Sequence, residues 1–460
     1  MKLSRSQFHR SVQSVPELHF EDQRLTSFSG SILVQELFRK LRLRERLQEC
    51  FEHRTERLMV GFPTTVLILI VHLMLGFRRL RDIERYRDDP MVLRALGLRR
   101  MPNVSTICRS LCRMDRPSVE NMRAVSREYV VSRLEAERFP RVTLDFDGSV
   151  ISTGRMAEGT AVGYNNKRKG ARSYYPLLCT VAQTGQVLDV FHRAGNVHDS
   201  HKAIQFMGVC IEAVRARLPS AIVESRKDSA FFSDKTVEFL DSQGVQFSIS
   251  VPFERFPELK LMIERRQRWK RLDSQWDYFE SDWAPKCWQR RYRFVFLRHR
   301  VKKQRKEPLQ LELFVPYEEG YEFKVIVTNK QGTAKPILLF HNGRSSQENL
   351  FAELKSQCSL DYVPTRRLPG NQLYFLSAVF AHNLYRELQM NTRPTDRPTT
   401  PKRAARWIFD EAATLRHKLI QRAGRLTRPH GRLRLTLSGN EITRKDMLHY
   451  LDALARVDCF

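Results

Sequence analysis

The assignment of the fold turns on one stretch, His341-Asn342-Gly343-Arg344-Ser345-Ser346-Gln347-Glu348-Asn349-Leu350-Phe351-Ala352-Glu353-Leu354-Lys355. The serine pair in it is a typical helix cap, and the residues that follow predict an amphipathic helix. At about 100° per residue, Arg344, Glu348 and Lys355 fall on one face of that helix. A carboxylate between two cations suits a metal ion beside a phosphate, and ordinary ion pairs on a solvated helix are the alternative.

Further acids lie at the ends of predicted strands. Alternation along residues 141–151 sends Asp145 and Asp147 to the same face, and the apolar run that begins at residue 221 ends in Asp228. Together with an acid on a helix, strand-end acids supply the carboxylate oxygens that Mg²⁺ and Mn²⁺ prefer. An Asp at a strand end is also a common turn residue. Asp145 and Asp147 both remain candidates for the first ligand.

At this point the chain resembles a known family. The spacing His341-x2-Arg344-x3-Glu348-x6-Lys355 is similar to the Y-x2-R-x3-E-x6-K signature of DDE transposases from bacterial cut-and-paste insertion sequences, with His in place of Tyr. Leu-Asp-Phe-Asp-Gly-Ser, ending at residue 149, resembles the sequence around the family's first catalytic Asp. Arg-Lys-Asp-Ser-Ala-Phe-Phe, ending at residue 232, resembles that around the second. Residues 163–177 and 193–199 look like one subgroup, and the resemblance covers about residues 140–390.

The resemblance implies an α/β protein with an RNase H-like catalytic core, a β-rich insertion between the second and third acids, and a helical N-terminal domain. It implies that the catalytic residues, which also bind two Mg²⁺ ions or Mn²⁺ in their place, are Asp147, Asp228 and Glu348. Preference for Asp147 over Asp145 rests on the family pattern. The implied reaction is DNA strand cleavage at the ends of the element, followed by strand transfer into target DNA.

Two other functions fit the same residues. One is an RNase H-like nuclease that cuts without strand transfer, and the other is a domesticated DNA-binding protein without catalysis. For the transposase, the expected partners are double-stranded DNA (terminal inverted repeats and target DNA) and a second copy of the chain, because two ends must be held together. We expect a homodimer in the synaptic complex.

Several side chains are expected to contact DNA. By the resemblance, Arg344 and Lys355 orient a phosphate, and His341 stacks on it or donates a hydrogen bond to it. A glycine-hinged cationic loop suits a phosphate backbone, or is a solvated hairpin tip; its cations are Lys167, Arg168, Lys169 and Arg172. By the resemblance, either Trp283 or Trp288 stacks on a flipped base during hairpin formation, whereas core packing is the alternative for each.

Composition agrees with these expectations. A formal charge of +28 over 460 residues indicates a polyanionic partner, although ribosomal and RNA-processing proteins share that property. The eight cysteines include no C-x2-C pair, which favours reduced thiols over a zinc site. No signal peptide opens the sequence, and the apolar run within residues 58–77 is broken by Gly61 and Pro63 and is too short to cross a bilayer. We therefore expect a cytoplasmic, nucleoid-associated bacterial protein with no membrane partner.

Changes of hydrophobic period divide the chain into four parts. Residues 1–138 are predicted to be a helical DNA-binding or dimerisation domain, in which 91–96 and 104–114 form a helix-turn-helix-like pair or an ordinary helical hairpin. The resemblance implies that residues 139–252 and 336–391 form the catalytic core, and the 120 residues from Asp228 to Glu348 are too many for a loop, so 253–335 are expected to form the insertion. The basic region 392–460 either clamps DNA on a partner subunit or is a surface appendage. Among the less regular segments, helices are predicted at 264–273 and 402–422, and a strand at 309–316.

Overall fold

The computed structural model describes residues 16–56, 58–154, 156–163, 165, 168–300 and 320–456. Its N-terminal part is helical after one short strand, with the bounds β1 (Leu25–Thr26), α1 (Ser31–Lys40), α2 (Leu43–Glu49), α3 (Phe62–Met74), α4 (Pro90–Leu96), α5 (Val104–Cys112) and α6 (Arg116–Ala136). The helix starts are encoded locally, because Asp89 and Asp115 cap α4 and α6 with a proline in the first turn.

The most apolar helix, α3, is buried along almost its whole length by the helices around it. No helix in the described ranges combines the length and apolar character that a bilayer crossing requires. The pair α4 and α5 follows the predicted bounds and turns at Gly97, whose φ of 65° is left-handed. Helix α5 buries Ile107 and Leu111 and exposes Arg109, so its outer side is basic.

A nine-stranded mixed sheet forms the centre of the molecule. Its first half comes, together with a small side sheet, from β2 (Arg141–Gly148), β3 (Ile151–Ser152), β4 (Ala161–Val162), β5 (Arg172–Tyr174), β6 (Leu177–Val181), β7 (Gln186–Phe191), α7 (Ala203–Arg217), β8 (Ile222–Lys227), α8 (Asp234–Ser242) and β9 (Gln246–Ser250). The order is β7-β6-β2-β8-β9, antiparallel on the β7 side and parallel on the β9 side of β2. The turn between β6 and β7 contains Gly185, whose φ of 61° is left-handed.

The segment after β9 extends the same sheet. It contains α9 (Pro257–Glu264), β10 (Lys270–Arg271), β11 (Trp276–Trp283), β12 (Tyr292–Arg300) and β13 (Tyr321–Thr328), and β13 pairs antiparallel with β9. The predicted helix at 264–273 is wrong, because α9 starts earlier, at Pro257, and ends where a run of like charges begins. The strand predicted at 309–316 lies outside the described residues.

The last part of the chain returns to both earlier parts. It comprises α10 (Ala334–Asn342), α11 (Ser346–Gln357), α12 (Leu368–Met390), α13 (Ala412–Leu415), β14 (Gly424–Thr427), β15 (Arg434–Leu437) and α14 (Glu441–Arg456). Helix α12 backs the sheet. Its Asn383 side chain accepts a hydrogen bond from the backbone N–H of Val187 on β7 and donates one to the carbonyl oxygen of the same residue. The outer side of α12 packs on α3, so this helix joins the sheet to the N-terminal helices.

The helix predicted at 402–422 is wrong over its first half, which is non-helical as far as residue 411. This stretch lies along the sheet instead, because Glu224 on β8 binds Arg403 at 2.8 Å and Trp407 is buried against Phe139. Further on, β14 pairs with β1, and α14 packs on α1. The C-terminal region therefore folds against the N-terminal helices of the same chain.

Candidate active site

Two acids stand at the ends of neighbouring parallel strands. Strand β2 carries Asp147 close to its last residue, and Asp228 follows β8 directly; the register pairs Asp145 with Arg226 two positions earlier. Burial and, after it, the charge of Asp228 raise the pKa of Asp147 to about 7, although the Arg344 guanidinium acts in the opposite direction. Burial also raises the pKa of Asp228, again against Arg344. The two carboxylates therefore repel each other in a partly desolvated site.

The helix that carries the third acid is fastened to this edge of the sheet. Arg344 donates to Asp147 Oδ2 at 3.3 Å, and Gln347 Nε2 donates to the carbonyl oxygen of Asp145 at 3.0 Å. Near the other end of α11, Lys355 Nζ donates to the carbonyl oxygen of Val150 at 3.2 Å. Residues seven apart share a helix face, so Glu348 lies on the face that Lys355 turns toward the end of β2. Its side chain is exposed.

Asp145 does not face this opening. Arg226 donates to its carboxylate through Nε at 2.7 Å, and both side chains are buried. The other amino group of Arg226 donates to the carbonyl oxygens of Phe340 and Lys402 at 3.1 and 2.8 Å. A Cβ on Gly343 would lie 2.1 Å from this guanidinium, so only glycine allows the approach. Asp145 is therefore neutralised by an internal partner, whereas Asp147 remains at the surface of the site.

A further acid, Asp199, lies beside the first two. Its carboxylate accepts a hydrogen bond from Tyr175 Oη at 3.0 Å and lies 3.5 Å from Arg193. A Cβ on Gly148 would come within 2.6 Å of it, and its charge raises the pKa of both Asp147 and Asp228. The sequence identifies Asp199 only as the last residue of the segment 193–199, without a role of its own. The available signal was an acid between a strand and a helix at the edge of the sheet that binds ligands.

The donor set suits a hard divalent cation. Asp147 and Asp228 supply carboxylate oxygens whose mutual repulsion a cation would relieve, and Glu348 lies on the helix above them. In the described part of the chain, no three or more His, Cys, Asp or Glu side chains already converge on one ion position. The structure therefore brings two of the three predicted ligands together and leaves Glu348 turned toward solvent.

The predicted DNA contacts have different surroundings. His341 is buried and hydrogen-bonds Ser250 Oγ at 2.8 Å and Ser248 Oγ at 3.1 Å, and burial lowers its pKa well below the ordinary value. It thus joins α10 to β9 as a neutral ring. In the cationic loop, Lys167 lies outside the described residues, and Arg172 is bound to Thr160 at 3.1 Å. The exposed cations of that loop are Arg168 and Lys169.

The two tryptophans also differ. Trp283 is 8% exposed and packs against Phe256 and Phe294, with ring centroids 5.5 and 5.0 Å away. Trp288 is only partly buried, in the loop between β11 and β12, and its ring lies 5.2 Å from that of Phe232. Phe232 follows Asp228 by four residues. Of the two indoles, Trp288 is therefore the less buried, and it packs on the segment that follows Asp228.

Solved structures of transposase complexes align with this chain at low sequence identity. The cryo-EM structure of a piggyBac transposase synaptic complex with hairpin DNA aligns with 93% of this chain and 85% of that chain, at 11% identity and a TM-score of 0.40. Two Mos1 transposase paired-end complexes, one with the left transposon end and one with Mn, align with 36% of this chain and 56% of theirs, at 11% and 12% identity and TM-scores of 0.18 and 0.17. No curated protein sequence matches.

The family described as Transposase DDE domain group 1 matches residues 8–459, which is nearly the whole chain. That match agrees with the signature residues, and with the acids that the fold brings to one edge of its sheet. The chain belongs to the DDE transposase family.

Proposed function

We propose that this protein is the transposase of a bacterial cut-and-paste insertion sequence, which cleaves DNA at the ends of the element and joins those ends to target DNA. The observation that carries the proposal is the pair Asp147 and Asp228 at the ends of parallel strands, contacted by Arg344 next to the helix of Glu348. Carboxylates held together against their repulsion in a basic protein suit metal-dependent chemistry on phosphates.

We also propose that the core is RNase H-like. Support comes from the central-sheet succession β2-β6-β7-α7-β8-α8-β9 between residues 141 and 250, which reads β-β-β-α-β-α-β once the side sheet β3–β5 is set apart, and from the sheet order β7-β6-β2-β8-β9. The β-rich insertion follows the last of these strands and precedes α11, which carries the third acid. This is the order expected if the insertion separates the second and third catalytic acids.

In the active complex, Asp147, Asp228 and Glu348 would hold two Mg²⁺ ions, or Mn²⁺ in their place. Bound there, the ions supply Lewis acidity and charge neutralisation for the attacking and leaving oxygens of an in-line displacement. Glu348 is exposed on the first turn of α11, so its side chain would turn toward the other two acids when DNA and metal bind.

The chain's own cations would position the phosphate. Arg344 lies between Asp147 and solvent, so a phosphate oxygen can take over one of its hydrogen bonds. Lys355 lies on the same side, near Val150. Arg168 and Lys169 would hold the backbone farther along, and Trp288 would stack on a displaced base.

The proposed partners are the terminal inverted repeats, the target duplex and a second copy of the chain, because cut-and-paste transfer needs two ends in one complex. The assembly would act on the bacterial nucleoid. His341 and Trp283 are assigned structural roles, since both are buried.

The test uses the full chain and duplexes that carry the inverted repeats flanking its gene. With Mg²⁺, the wild-type protein should nick and then cut at the repeat ends, and should join the 3′-hydroxyl ends to a plasmid. Asp147→Asn, Asp228→Asn and Glu348→Gln should each abolish cutting and leave binding to the duplex intact. Asp88→Asn, at an exposed acid away from the site, is the matched control.

Other outcomes would assign another function. Cutting without joined products would indicate a nuclease, and specific binding without cutting by the wild-type protein would indicate a DNA-binding protein. If Glu348→Gln cut normally, the third ligand would be a different residue.

A further inference from the structure

The most densely charged exposed segment of the described chain lies outside the candidate active site, between α9 and β11. Residues 265–271 read Arg-Arg-Gln-Arg-Trp-Lys-Arg, and all but Trp269 are exposed. We call its five cations the basic strip; they are Arg265, Arg266, Arg268, Lys270 and Arg271. Neither the metal site nor the phosphate contacts proposed above use them.

The charge of the basic strip is not neutralised within the described residues. Acids of the neighbouring elements serve other cations: Glu280 binds Arg293, Asp277 binds Arg298, and Asp241 binds Arg290. None of the five strip cations has an acidic side chain within ion-pair distance among the residues that the structure describes. Such a concentration of unpaired positive charge disfavours folding slightly and attracts a polyanion.

The strip is also held in place. Its middle residue, Trp269, packs edge-on against Phe279 with ring centroids 4.8 Å apart, and the Arg298 guanidinium lies 4.6 Å from the centroid of the Trp269 ring. Trp269 Nε1 donates to the carbonyl oxygen of Arg266 at 3.2 Å, and β10 pairs Lys270 with Tyr278 on β11. Because the backbone is ordered before binding, little conformational entropy is lost when a ligand docks.

Helix α9 separates the strip from the aromatic contact with the segment that follows Asp228. Phe256, directly before α9, contacts Phe232 in the segment after Asp228, with ring centroids 5.7 Å apart. The helix then runs for eight residues, or about 12 Å, to Glu264, where the strip begins. At about 3.4 Å per base pair, a helix of that length that leads away from the acids would span about four base pairs of duplex.

We propose that the basic strip binds the phosphate backbone of the duplex beside the cleavage point, beginning about four base pairs from the reacting phosphate. The identity of the DNA as a substrate rests on the proposed function, whereas the choice of a polyanionic ligand rests on the strip alone. Its contribution is to affinity and register, because none of the five strip cations contacts Asp147 or Asp228 among the described residues.

The test compares salt dependence of binding. In Arg265→Ala/Arg268→Ala/Lys270→Ala, Arg266 and Arg271 stay, because their side chains donate to nearby carbonyl oxygens. Each lost phosphate contact should reduce the slope of log K against log salt by about 0.9, so the slope should fall by about 2 to 3, with affinity at least about tenfold lower near 0.1 M salt. Fluorescence anisotropy with a repeat-end duplex measures both.

Two variants separate local charge from net charge and from structure. Arg39→Ala/Arg217→Ala/Arg444→Ala removes the same formal charge from exposed arginines that already pair with glutamates, and should keep the wild-type slope. Arg265→Lys/Arg268→Lys/Lys270→Arg keeps the charges and should also keep it. Unchanged melting temperatures establish that all variants fold.

Phosphate mapping gives the position. Neutral methylphosphonates placed four to eight base pairs from the cut should weaken the wild-type complex and have no further effect on the Ala variant. Those within two base pairs should weaken both equally. The proposal is overturned if the Ala variant keeps the wild-type slope, if the arginine control weakens binding as much, or if only single-stranded RNA binding depends on the strip. Loss of cutting in every protein, with the slope change intact, would count against the transposase and not against the strip.

Discussion

Arg226 and Asp145 form a bidentate ion pair on neighbouring parallel strands, with both side chains buried: Arg226 Nε donates to Oδ1 at 2.7 Å, and Nη2 donates to Oδ2 at 2.5 Å. Arg226 thus binds Asp145, the acid that precedes Asp147 on the same face of β2. It therefore distinguishes two carboxylates that strand alternation alone treats as equivalent.

Breaking this pair should reduce stability. Arg226→Met leaves a buried carboxylate without its partner and should lower the free energy of unfolding by about 3–5 kcal/mol. Asp145→Asn should also destabilise, whereas Asp88→Asn should not. Urea unfolding followed by circular dichroism measures the change. If Asp145→Asn folded as stably as wild type and lost all cutting, Asp145 would be the first ligand instead.

At neutral pH without metal, the charged Asp147 carboxylate should destabilise the folded protein, whereas the Arg226–Asp145 pair stabilises it. Its folded-state pKa, about 7, is raised above the ordinary value of 3.8, so the folded protein binds this proton more tightly than the unfolded chain. The associated stability is fully present below about pH 4 and is lost as pH rises through 7. Asp147→Asn should remove that dependence and be more stable than wild type at pH 8 in EDTA. Urea unfolding at pH 5 and 8 makes the comparison, and a wild type equally stable relative to the variant at both pH values would contradict it.

Divalent metal binding should depend on the same protons. Mg²⁺ and Mn²⁺ require deprotonated carboxylates, so their stabilisation of the wild-type protein should increase with pH and level off above about 7. Thermal shifts with Mn²⁺ at pH 5.5 and 8 provide the measurement. Asp147→Asn and Asp228→Asn should lose the shift, and Asp88→Asn should keep it. A metal-induced shift independent of pH would indicate ions bound elsewhere.

Asp199 should tune this titration. Its charge raises the pKa of Asp147, so Asp199→Asn should move the midpoint of the pH-dependent metal stabilisation to lower pH. Tyr175→Phe removes a hydrogen bond to Asp199 but keeps the charge of Asp199. The midpoint should therefore not move to lower pH in this variant. The same Mn²⁺ thermal shifts across pH test both. A midpoint that moved upward in Asp199→Asn would mean that Asp199 acts by structure rather than by charge.

Replacement of Trp283 should mainly reduce stability, whereas replacement of Trp288 should mainly weaken DNA binding. Trp283→Ala removes a core ring and should cost about 3–5 kcal/mol of unfolding free energy. Trp288→Ala should cost less stability, but should weaken binding to a duplex with one unpaired base near the cut by about 1–3 kcal/mol. Unfolding curves and anisotropy give the two quantities. Equal binding of that duplex by wild type and Trp288→Ala would remove Trp288 from the proposed contacts.

Local patterns determined most of the elements. The alternation along residues 141–151 corresponds to strand Arg141–Gly148, and helix Arg116–Ala136 has a capped, proline-led start; both are short-range signals. The helices expected at 264–273 and 402–422 are wrong for a shared reason. In these segments, side chains contact residues outside the predicted helix: Trp269 packs on Phe279, and Arg403 pairs with Glu224. The local hydrophobic period does not encode such contacts.

The sequence alone determined the family signature and the positive charge, and it supplied the three acids proposed as ligands, since each depends on residue identity or spacing along the chain. Only the tertiary structure decided that Asp145 is held by Arg226, that Asp199 stands beside Asp147, that His341 is buried and that Glu348 is exposed. Those outcomes depend on which side chains distant segments bring within a few ångströms. At that range burial and neighbouring charge decide which carboxylate is neutralised and which is left to bind a ligand.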